Sequence, residues 1–360
     1  MNSSSVMLGY VLVEPGRAEL VEVPIPEPKA GEVLVKTTVA SICATDLKIV
    51  DGRFPVQPGL VLGHEFVGVV SAVGAGVQNL SEGQRVMSHT DTPCGQCQEC
   101  LANWNGQGCS QGGSINAFHY GVFRDGAHAE YVCVPYANAN VEPIPDNVTD
   151  VQAVMLCDVI TTGFAAVESA QVRFGDVVVI FGQGPVGAAS TIASRLSGAA
   201  LVIVVDEFAD RLELAKTLGA DHAILANSDD IIEEIRTLTN GYMADVAIEA
   251  VGLTKTFGMA LRATRPAGTL STVGNFGMQG ELQLPLDMGA FMGGVGNKKI
   301  FSTTSPGGRD RARRLLSMVS HGKFDPSIFV RHHFPLSDIP NAYELFRSKA
   351  DNVFKIAITP

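Results

Sequence analysis

Three classes of protein are disfavoured by what this sequence has little of. Its 26 Lys and Arg residues are outnumbered by 37 Asp and Glu residues, for a formal net charge of -11, whereas binding to a nucleic-acid backbone needs a basic face. It has no uninterrupted apolar run of the roughly 18 to 20 residues that span a bilayer. No Lys or Arg precedes the short apolar stretch near the N-terminus, so the charged start of a secretory signal is missing. We therefore expect a cytoplasmic protein that binds neither nucleic acid nor membrane.

Cysteine is scarce outside one short segment. Four of the seven cysteines lie close together, namely Cys94, Cys97, Cys100 and Cys109. In a reducing compartment such a cluster is more typical of a metal site than of disulfides. Four thiolates can surround one tetrahedral zinc ion and leave no open position for chemistry. The sequence predicts a structural zinc site here, and two disulfides are the rival interpretation.

The periodicity of the chain changes along its length. A chain of 360 residues is long for one hydrophobic core, so two domains are expected. Residues 8 to about 90 contain short Val-rich runs separated by turn residues, which predict a mostly β region. From residue 161, short apolar runs alternate with helical patterns, which is typical of βαβ units and a parallel sheet. After about residue 300, a helix and a last strand are expected to complete the first domain.

A glycine-rich turn follows one of the predicted buried strands. The run GQGPVG comes directly after VVVIF and opens a helical pattern. Its glycines permit a tight turn, and the helix N-terminus offers N–H groups to a pyrophosphate. A turn that binds no nucleotide is the alternative, but strand, turn and helix in register argue against it. The residues expected to contact a dinucleotide are Gly182, Gly184, Pro185, Val186 and Gly187.

The next predicted strand ends at Asp206. A carboxylate at this position can accept hydrogen bonds from both hydroxyls of an adenosine ribose. Glu207 stands beside it and the first basic residue that follows is Arg211, so a 2′-phosphate would be repelled. The sequence therefore predicts NAD rather than NADP, with Asp206 and Arg211 in the cofactor site.

Several motifs, taken in order, carry a resemblance to a known family. Alone, Cys43 and His64, about twenty residues apart, would more often be structural. As a set, the motifs resemble those of the zinc-dependent alcohol dehydrogenases of the medium-chain dehydrogenase/reductase superfamily. They are SICATDLK, GHEFVGVV, CGQCQEC, DGAHAEYV and GQGPVG. The segment LCDVITTGF is similar to bacterial and archaeal secondary-alcohol dehydrogenases, in which an Asp ahead of TTGF is the third zinc ligand.

This resemblance spans essentially the whole chain and implies its fold. The class is α/β, with a GroES-like β-rich catalytic domain and a Rossmann domain built on a doubly wound parallel sheet. The catalytic domain is expected over residues 1–158 and 303–360, with a Cys-rich lobe at 91–128, and the Rossmann domain over 159–302. In this family the active site lies in the cleft between the domains.

The resemblance also implies a catalytic zinc site. Its residues are Cys43, His64 and Asp158 as ligands, with Glu65 able to enter the coordination shell and Asp46 orienting the ring of His64. Cys157 is a rival ligand to Asp158. The match to TTGF favours Asp158, and a one-residue change of register would turn its side chain away if the segment is extended.

Two departures from the family pattern affect the zinc site and the proton path. Eight residues separate Cys100 from Cys109, where the family usually has seven, so an extra residue should bulge out of the loop. Thr45 matches the Ser or Thr that takes the hydroxyl proton, but Lys48 stands where many relatives carry a His at the end of a proton relay. A lysine can serve there only if its pKa is lowered.

The implied activity is a reversible, zinc-dependent hydride transfer between NAD and an alcohol/ketone pair, with secondary alcohols favoured. Gly274 and Asn275 should lie near the nicotinamide, although an ordinary strand-end turn accounts for them equally well. A polyol (sorbitol-type) or threonine-type dehydrogenase of the same superfamily is the alternative. A zinc-free NAD(P)-binding reductase or sensor is the rival from another class. The family also implies a homotetramer or homodimer.

Overall fold

The computed structural model describes residues 6–102, 108–110, 117–227, 230–277, 283–284, 286 and 297–360. Parts of the Cys-rich lobe, 103–107 and 111–116, lie outside the described residues, and with them most of the segment expected to hold the extra loop residue. The chain forms two compact units, one made of Met1–Thr161 and Ser305–Pro360 and the other of Thr162–Thr304. The sequence-based boundaries fall after residues 158 and 302.

The bounds of the strands and helices are as follows. The strands are β1 Val6–Glu14, β2 Arg17–Pro24, β3 Val33–Ser41, β4 Glu65–Val73, β5 Arg85–Ser88, β6 Tyr131–Val134, β7 Val141–Pro143, β8 Val177–Phe181, β9 Leu201–Asp206, β10 His222–Leu225, β11 Ala244–Glu249, β12 Thr264–Thr272, β13 Lys299–Ser302, β14 Val330–Pro335 and β15 Lys355–Thr359. The α-helices are Ala44–Val50, Gln98–Ala102, Ala137–Asn140, Asp150–Met155, Thr161–Ser169, Pro185–Leu196, Ala209–Thr217, Ile231–Leu238, Thr254–Ala263, Arg309–Ser320 and Ile339–Ser348. A π-helical turn, Leu156–Ile160, and two 3-10 turns, Pro326–Phe329 and Leu336–Asp338, complete the described elements.

The first unit is organised around a sheet with the order β14-β15-β3-β4-β5-β7, and β6 also pairs with β3. Alternate side chains of a strand point to one face, and on β3 and β4 this face carries Val33, Val35, Phe66 and Val70 into the core. The antiparallel register of these two strands ends where Ser41 faces Glu65. The residues that follow β3 and precede β4 are therefore held side by side.

The second unit is a parallel sheet with the order β10-β9-β8-β11-β12-β13. Its central strands, such as Val177–Phe181 and Leu201–Asp206, are almost continuously buried, as expected for a parallel sheet covered on both faces. The strand order reverses between β8 and β11. In open α/β sheets, ligands bind at the carboxyl ends of the strands next to such a reversal.

The helix from Asp150 to Ser169 differs in two ways from what the sequence suggests. Among the described residues it is the helix long and apolar enough to cross a membrane, but most of it is buried inside the protein. It is therefore a core helix. Its middle turn, Leu156–Ile160, is π-helical, so the premise of an extended segment around Cys157 and Asp158 is wrong.

Candidate active site

The first two residues of the metal cluster are positioned by the pairing of β3 with β4. Cys43 lies just after β3 and is the N-cap of the helix Ala44–Val50. Its backbone N–H donates a hydrogen bond to Asp46 Oδ2 at 2.9 Å, which fixes the helix start. His64 immediately precedes β4 and is buried. The sheet register thus brings a thiol and an imidazole together from opposite strands.

Asp158 completes the cluster from the π-helical turn. Its Oδ2 lies 3.6 Å from Cys43 Sγ and 3.6 Å from His64 Nε2. One ligand atom from each of these residues and from Glu65 lies within 4.8 Å of all the others. Zinc bonds of about 2.0 to 2.3 Å separate tetrahedral ligand atoms by about 3.3 to 3.8 Å. The cluster therefore fits a zinc ion.

The electrostatics of the cluster also indicate a metal site. Burial, with the neighbouring carboxylate of Asp158, raises the pKa of the Cys43 thiol. A cation among these groups would reverse that effect and hold the thiol as a thiolate. A thiol, an imidazole and two carboxyls that converge in a largely buried space form a donor set suited to a divalent metal ion.

Asp46 stands behind His64, where it can orient the ring. Its Oδ1 lies 3.0 Å from His64 Nδ1, and both side chains are buried. Although burial alone would raise it, the pKa of Asp46 is lowered by the charge of His64. A charged carboxylate at Nδ1 keeps the proton on that nitrogen and leaves Nε2 free to bind a metal.

Cys157, the rival to Asp158, points away from the cluster. It is fully buried, and its Sγ donates to the backbone oxygens of Phe66 at 3.1 Å and Ala153 at 3.6 Å. Adjacent residues in a helix differ by a quarter to a third of a turn. The helical geometry therefore separates the two side chains.

Lys355, on the last strand, is a site residue that the sequence reasoning missed. Its Nζ lies 2.7 Å from both carboxylate oxygens of Glu65 and 2.7 Å from the backbone oxygen of Ile42. Burial alone would lower the pKa of Lys355, but the Glu65 carboxylate raises it above the ordinary value. A lysine in the middle of the apolar run VFKIAIT was the available signal. This ion pair holds Glu65 beside the cluster.

Thr45 and Lys48 lie one turn apart on the helix that Cys43 begins, and both are half-buried. Residues three apart on a helix share a face. Burial lowers the pKa of Lys48, which is the condition that a lysine must meet to exchange protons near neutral pH.

The four clustered cysteines are all free and converge. Cys94 Sγ lies 3.9 Å from Cys100 Sγ, and Cys97 Sγ lies 4.0 Å from Cys109 Sγ. These separations exceed the roughly 2 Å of a disulfide bond and are close to the roughly 3.8 Å expected between sulfurs on one zinc ion. Backbone N–H groups of Cys94, Cys97 and Cys100 each point to a neighbouring sulfur. The geometry fits a closed metal site.

The glycine turn of the second unit connects β8 to the helix Pro185–Leu196. Gly182 has φ +91, a conformation that L residues rarely adopt. A Cβ on Gly187 would lie 1.8 Å from the backbone oxygen of Gly182, whereas one on Gly184 would meet only the Arg211 guanidinium, at 3.8 Å. Gly187 is thus required by packing. The open space at Gly184, the N-cap, suits the close approach of a phosphate.

Asp206 lies at the end of β9, beside this turn. Its carboxylate accepts hydrogen bonds from the backbone N–H groups of Gln183 and of Phe208, the latter at 2.9 Å. The Arg211 guanidinium stacks 4.5 Å above the Phe208 ring. The carboxylate is thereby fixed at the carboxyl end of the strand, next to the glycine turn.

Gly274 and Asn275 follow β12 at the same end of the sheet. A Cβ on Gly274 would lie 2.1 Å from the backbone nitrogen of Gly252, and one on Gly252 would lie 2.5 Å from the backbone oxygen of Asn275. Two loops from neighbouring strands, β11 and β12, are thus packed closely together. Of the expected site residues, the metal and proton-relay residues lie in the first unit, and the cofactor residues lie in the second.

The chain matches two protein-family models, one in each half of the sequence. Residues 29–146 match the alcohol dehydrogenase GroES-like domain, and residues 185–321 match the zinc-binding dehydrogenase domain. The first match contains the cysteine cluster and all residues of the other metal cluster except Asp158. The second match begins within the glycine turn, at Pro185, and contains Asp206.

Several known proteins are similar to this chain along nearly their full length. An alcohol dehydrogenase of Cupriavidus necator is 40% identical, over 99% of this chain and 100% of that protein. An NADP-dependent isopropanol dehydrogenase of Thermoanaerobacter brockii is 30% identical, over 97% of this chain and 98% of that protein. The solved structure of an alcohol dehydrogenase from Thermus sp. ATN1 has a TM-score of 0.86 at 31% identity, covering 98% of this chain and 99% of that one.

Proposed function

We propose, from the premise that this chain belongs to the zinc-dependent alcohol dehydrogenase family, that it interconverts secondary alcohols and ketones with NAD. Zinc-dependent oxidoreduction of an alcohol/ketone pair is the activity of the family. The preference for a secondary alcohol, the choice of NAD and the roles of individual residues are our proposals.

The convergence of Cys43, His64 and Asp158 is the observation that carries this proposal. Three ligands leave one tetrahedral position open, which is how catalytic zinc sites differ from structural ones. The cysteine cluster, by contrast, supplies four ligands and no open position. The carboxylate ligand matches the pattern of the secondary-alcohol dehydrogenases, and a relative is named as an isopropanol dehydrogenase.

The residues of the first unit have separate roles in the reaction. A zinc ion held by Cys43, His64 and Asp158 would supply the Lewis acidity that lowers the pKa of the alcohol hydroxyl, and a bound nicotinamide would be the hydride acceptor. Thr45 accepts the hydroxyl proton, and Lys48, one turn along, passes it towards solvent. Asp46 holds His64 in its ligating tautomer.

Glu65 and Lys355 act on the cluster without transferring a proton to the substrate. Their ion pair, with both oxygens at 2.7 Å, holds the Glu65 carboxylate close to the ligand atoms. There it would be an additional ligand available to a bound zinc ion.

NAD is proposed on the position of Asp206, although relatives of this chain are named as NADP-dependent. Its carboxylate is held beside the glycine turn by two backbone N–H groups, where it can accept the ribose hydroxyls. A 2′-phosphate at the same place would meet Asp206 and Glu207. Replacing Asp206 with serine would remove the carboxylate that accepts hydrogen bonds from the ribose hydroxyls.

Zinc content and activity, measured together, test the proposed function. Purified protein is expected to hold two zinc ions per chain by mass spectrometry and to reduce NAD with 2-propanol. In the Asp206→Ser variant the ratio of kcat/KM for NAD to that for NADP should fall at least tenfold, because one buried acceptor is worth roughly 1.5 to 3 kcal/mol. Glu207→Gln is the matched control for charge alone. Activity that survives complete loss of zinc would contradict the proposal.

We also propose that the protein works in the cytoplasm as a homodimer or homotetramer. The reduced cysteine cluster is suited to a reducing compartment. On the described part of the sheet, β13 is an edge strand whose four residues are all exposed, with Ile300 and Phe301 at 42% and 39% exposure. An exposed apolar edge strand is a natural place for a second copy of the chain to pair.

A further inference from the structure

The loop that follows β11 is packed between the glycine turn and the loop that follows β12. A Cβ on Gly182, in the glycine turn, would lie 2.6 Å from Val251 Cγ2. On the other side of the same loop, Gly252 is packed against the backbone of Asn275. The position of this loop therefore decides the shape of the surface beside the glycine turn.

Glu249, the last residue of β11, is fully buried and holds this loop in place. Its Oε1 accepts hydrogen bonds from the backbone N–H groups of Val251 at 3.0 Å and of Gly252 at 2.8 Å. The same oxygen accepts the hydroxyl of Thr256 at 2.7 Å, in the first turn of the helix Thr254–Ala263. One carboxylate oxygen thus fixes both the loop and the start of the helix that follows it.

Glu249 also holds the end of the neighbouring strand. Its Oε2 accepts the hydroxyl of Thr272, the last residue of β12, at 2.9 Å. Its backbone oxygen accepts the N–H groups of Val273 at 2.9 Å and of Gly274 at 3.1 Å. A single residue therefore ties the loop after β11 to the loop after β12.

The pairing of the strands themselves does not depend on this carboxylate. Parallel backbone pairing already fixes the register of β11 with β8 and with β12. A buried carboxylate is costly unless it is fully hydrogen-bonded, and the bonds of Glu249 go to groups at and beyond the strand ends. What Glu249 adds to the sheet is the position of the two loops.

These loops lie on the half of the sheet that faces away from Asp206. The strand order reverses between β8 and β11, and a dinucleotide binds across such a reversal with one nucleotide on each half. Asp206, at the end of β9, is on the half proposed to take the adenosine ribose. The nucleotide that carries the nicotinamide then falls at the ends of β11 and β12.

We propose that Glu249 is a positioning residue for the nicotinamide half of the cofactor, acting through the two loops that it holds. The proposal rests on the proposed function, because it requires a nicotinamide dinucleotide at the glycine turn. Loops that occupy the binding-competent position for only part of the time lower the apparent affinity by that fraction. Loss of the carboxylate should therefore weaken the cofactor's nicotinamide half and spare its adenosine half.

The test compares the binding of NADH with that of AMP, which contains only the adenosine half, by calorimetric titration. In Glu249→Ala we expect the Kd for NADH to rise at least about tenfold, an effect within the range of lost hydrogen bonds to a charged group. The Kd for AMP should stay within about threefold of the wild-type value. In Glu249→Gln both values should stay within about threefold, because the amide oxygen still accepts and the amide nitrogen can donate to Thr272.

Asp245→Ala is the matched control, because Asp245 is a carboxylate on the same strand at its opposite end. It accepts the Val177 N–H at 2.8 Å and the Arg265 Nε–H at 2.6 Å. Its loss should lower the melting temperature and leave the Kd values for NADH and AMP as in the wild type. A merely structural role of Glu249 would give the same result as this control.

Thr272→Val, which cuts only the tie to β12, decides the question if Glu249→Ala does not fold. The rise in Kd should again be confined to NADH, at least about threefold. Unchanged NADH binding, or an equal loss of NADH and AMP binding, would overturn the proposal for Glu249 and leave the proposed function standing. A wild-type protein that binds no NADH would contradict the proposed function, and the role of Glu249 with it.

Discussion

Two adjacent residues, Cys157 and Asp158, have opposite surroundings. The thiol of Cys157 bonds to backbone oxygens of its own helix and of β4, while Asp158 faces Cys43 and His64. Their roles can therefore be separated by substitution.

Asp158→Ala is expected to lower the affinity for the catalytic zinc by at least about a hundredfold, since even residues that only support a ligand are worth 10- to 100-fold. Cys157→Ala should retain two zinc ions per chain and lose only about 1 to 2 kcal/mol of stability, the cost of a small cavity. Zinc analysis after dialysis measures the metal affinity, and thermal melting measures the stability. Loss of one zinc from Cys157→Ala but not from Asp158→Ala would reverse the assignment.

A second prediction concerns His89, which is buried with its Nδ1 3.2 Å from the backbone oxygen of Cys157. Burial, and then the charge of Arg311, lowers the pKa of His89 to about 4. The unfolded chain takes up a proton below about pH 6.5, whereas the folded protein does not until about pH 4. Stability is therefore complete above pH 6.5 and falls as the pH drops towards 4.

The free energy of unfolding should fall by about 2 kcal/mol between pH 7 and pH 5 through this residue alone. His89→Leu removes that contribution. Urea unfolding of both proteins at the two pH values gives the difference, and other titrating groups cancel in the comparison. Equal pH dependence in the two proteins would contradict the buried neutral state of His89.

Some residues of the candidate site could be predicted from the sequence, and others could not. The order of the motifs predicted the metal cluster, whose four ligand atoms lie within 4.8 Å of one another. This was possible because the ligand types and their neighbours in sequence are local features. Lys355 was missed, since its importance comes from a partner far away in the sequence. Lys355 is 290 residues from Glu65, and no local pattern records such a pair.

At the scale of elements, two glycines of the same turn are expected to have different roles, one in folding and one in cofactor binding. Gly187→Ala should destabilise the protein by roughly 1 to 3 kcal/mol, the cost of forcing a methyl group into a packed site, because the new Cβ would clash with the Gly182 oxygen. Gly184→Ala has room for its Cβ and φ -66, so its melting temperature should be unchanged. Its KM for the cofactor should rise instead, because the methyl group occupies the approach of the pyrophosphate.

Thermal melting and cofactor titration of the two variants distinguish these effects. The idea fails if Gly187→Ala melts like the wild type, or if Gly184→Ala binds the cofactor unchanged. The contrast is sharp because both substitutions add the same methyl group to the same turn.

Elements with strong periodicity were predicted well from the sequence, and irregular ones were not. Apolar runs such as VVVIF and LVIVVD became β8 and β9, because burial on both faces demands continuous hydrophobicity. The π-helical turn at Leu156–Ile160 has no such pattern. It inserts extra backbone between the helices Asp150–Met155 and Thr161–Ser169, and tertiary contacts decide its place.

For the whole molecule, the edge strand β13 predicts how copies of the chain associate. Phe301→Glu places a charge on the exposed edge of the sheet, and charged edge strands resist pairing. We expect light scattering to show a smaller assembly than the wild type. Phe174→Glu, at a residue with 94% exposure elsewhere on the same unit, should leave the mass unchanged. Equal masses for all three proteins would place the interface elsewhere.

The position of Lys355 has a consequence for how the first unit folds. Lys355 lies on β15, which pairs with β14 and β3, and its ammonium is the counter-charge of the buried Glu65 carboxylate. The two residues are 290 apart in sequence, and closing so long a loop costs conformational entropy. We therefore expect the metal cluster to be completed late in folding, when β15 docks, whereas the second unit is built from one continuous stretch of sequence.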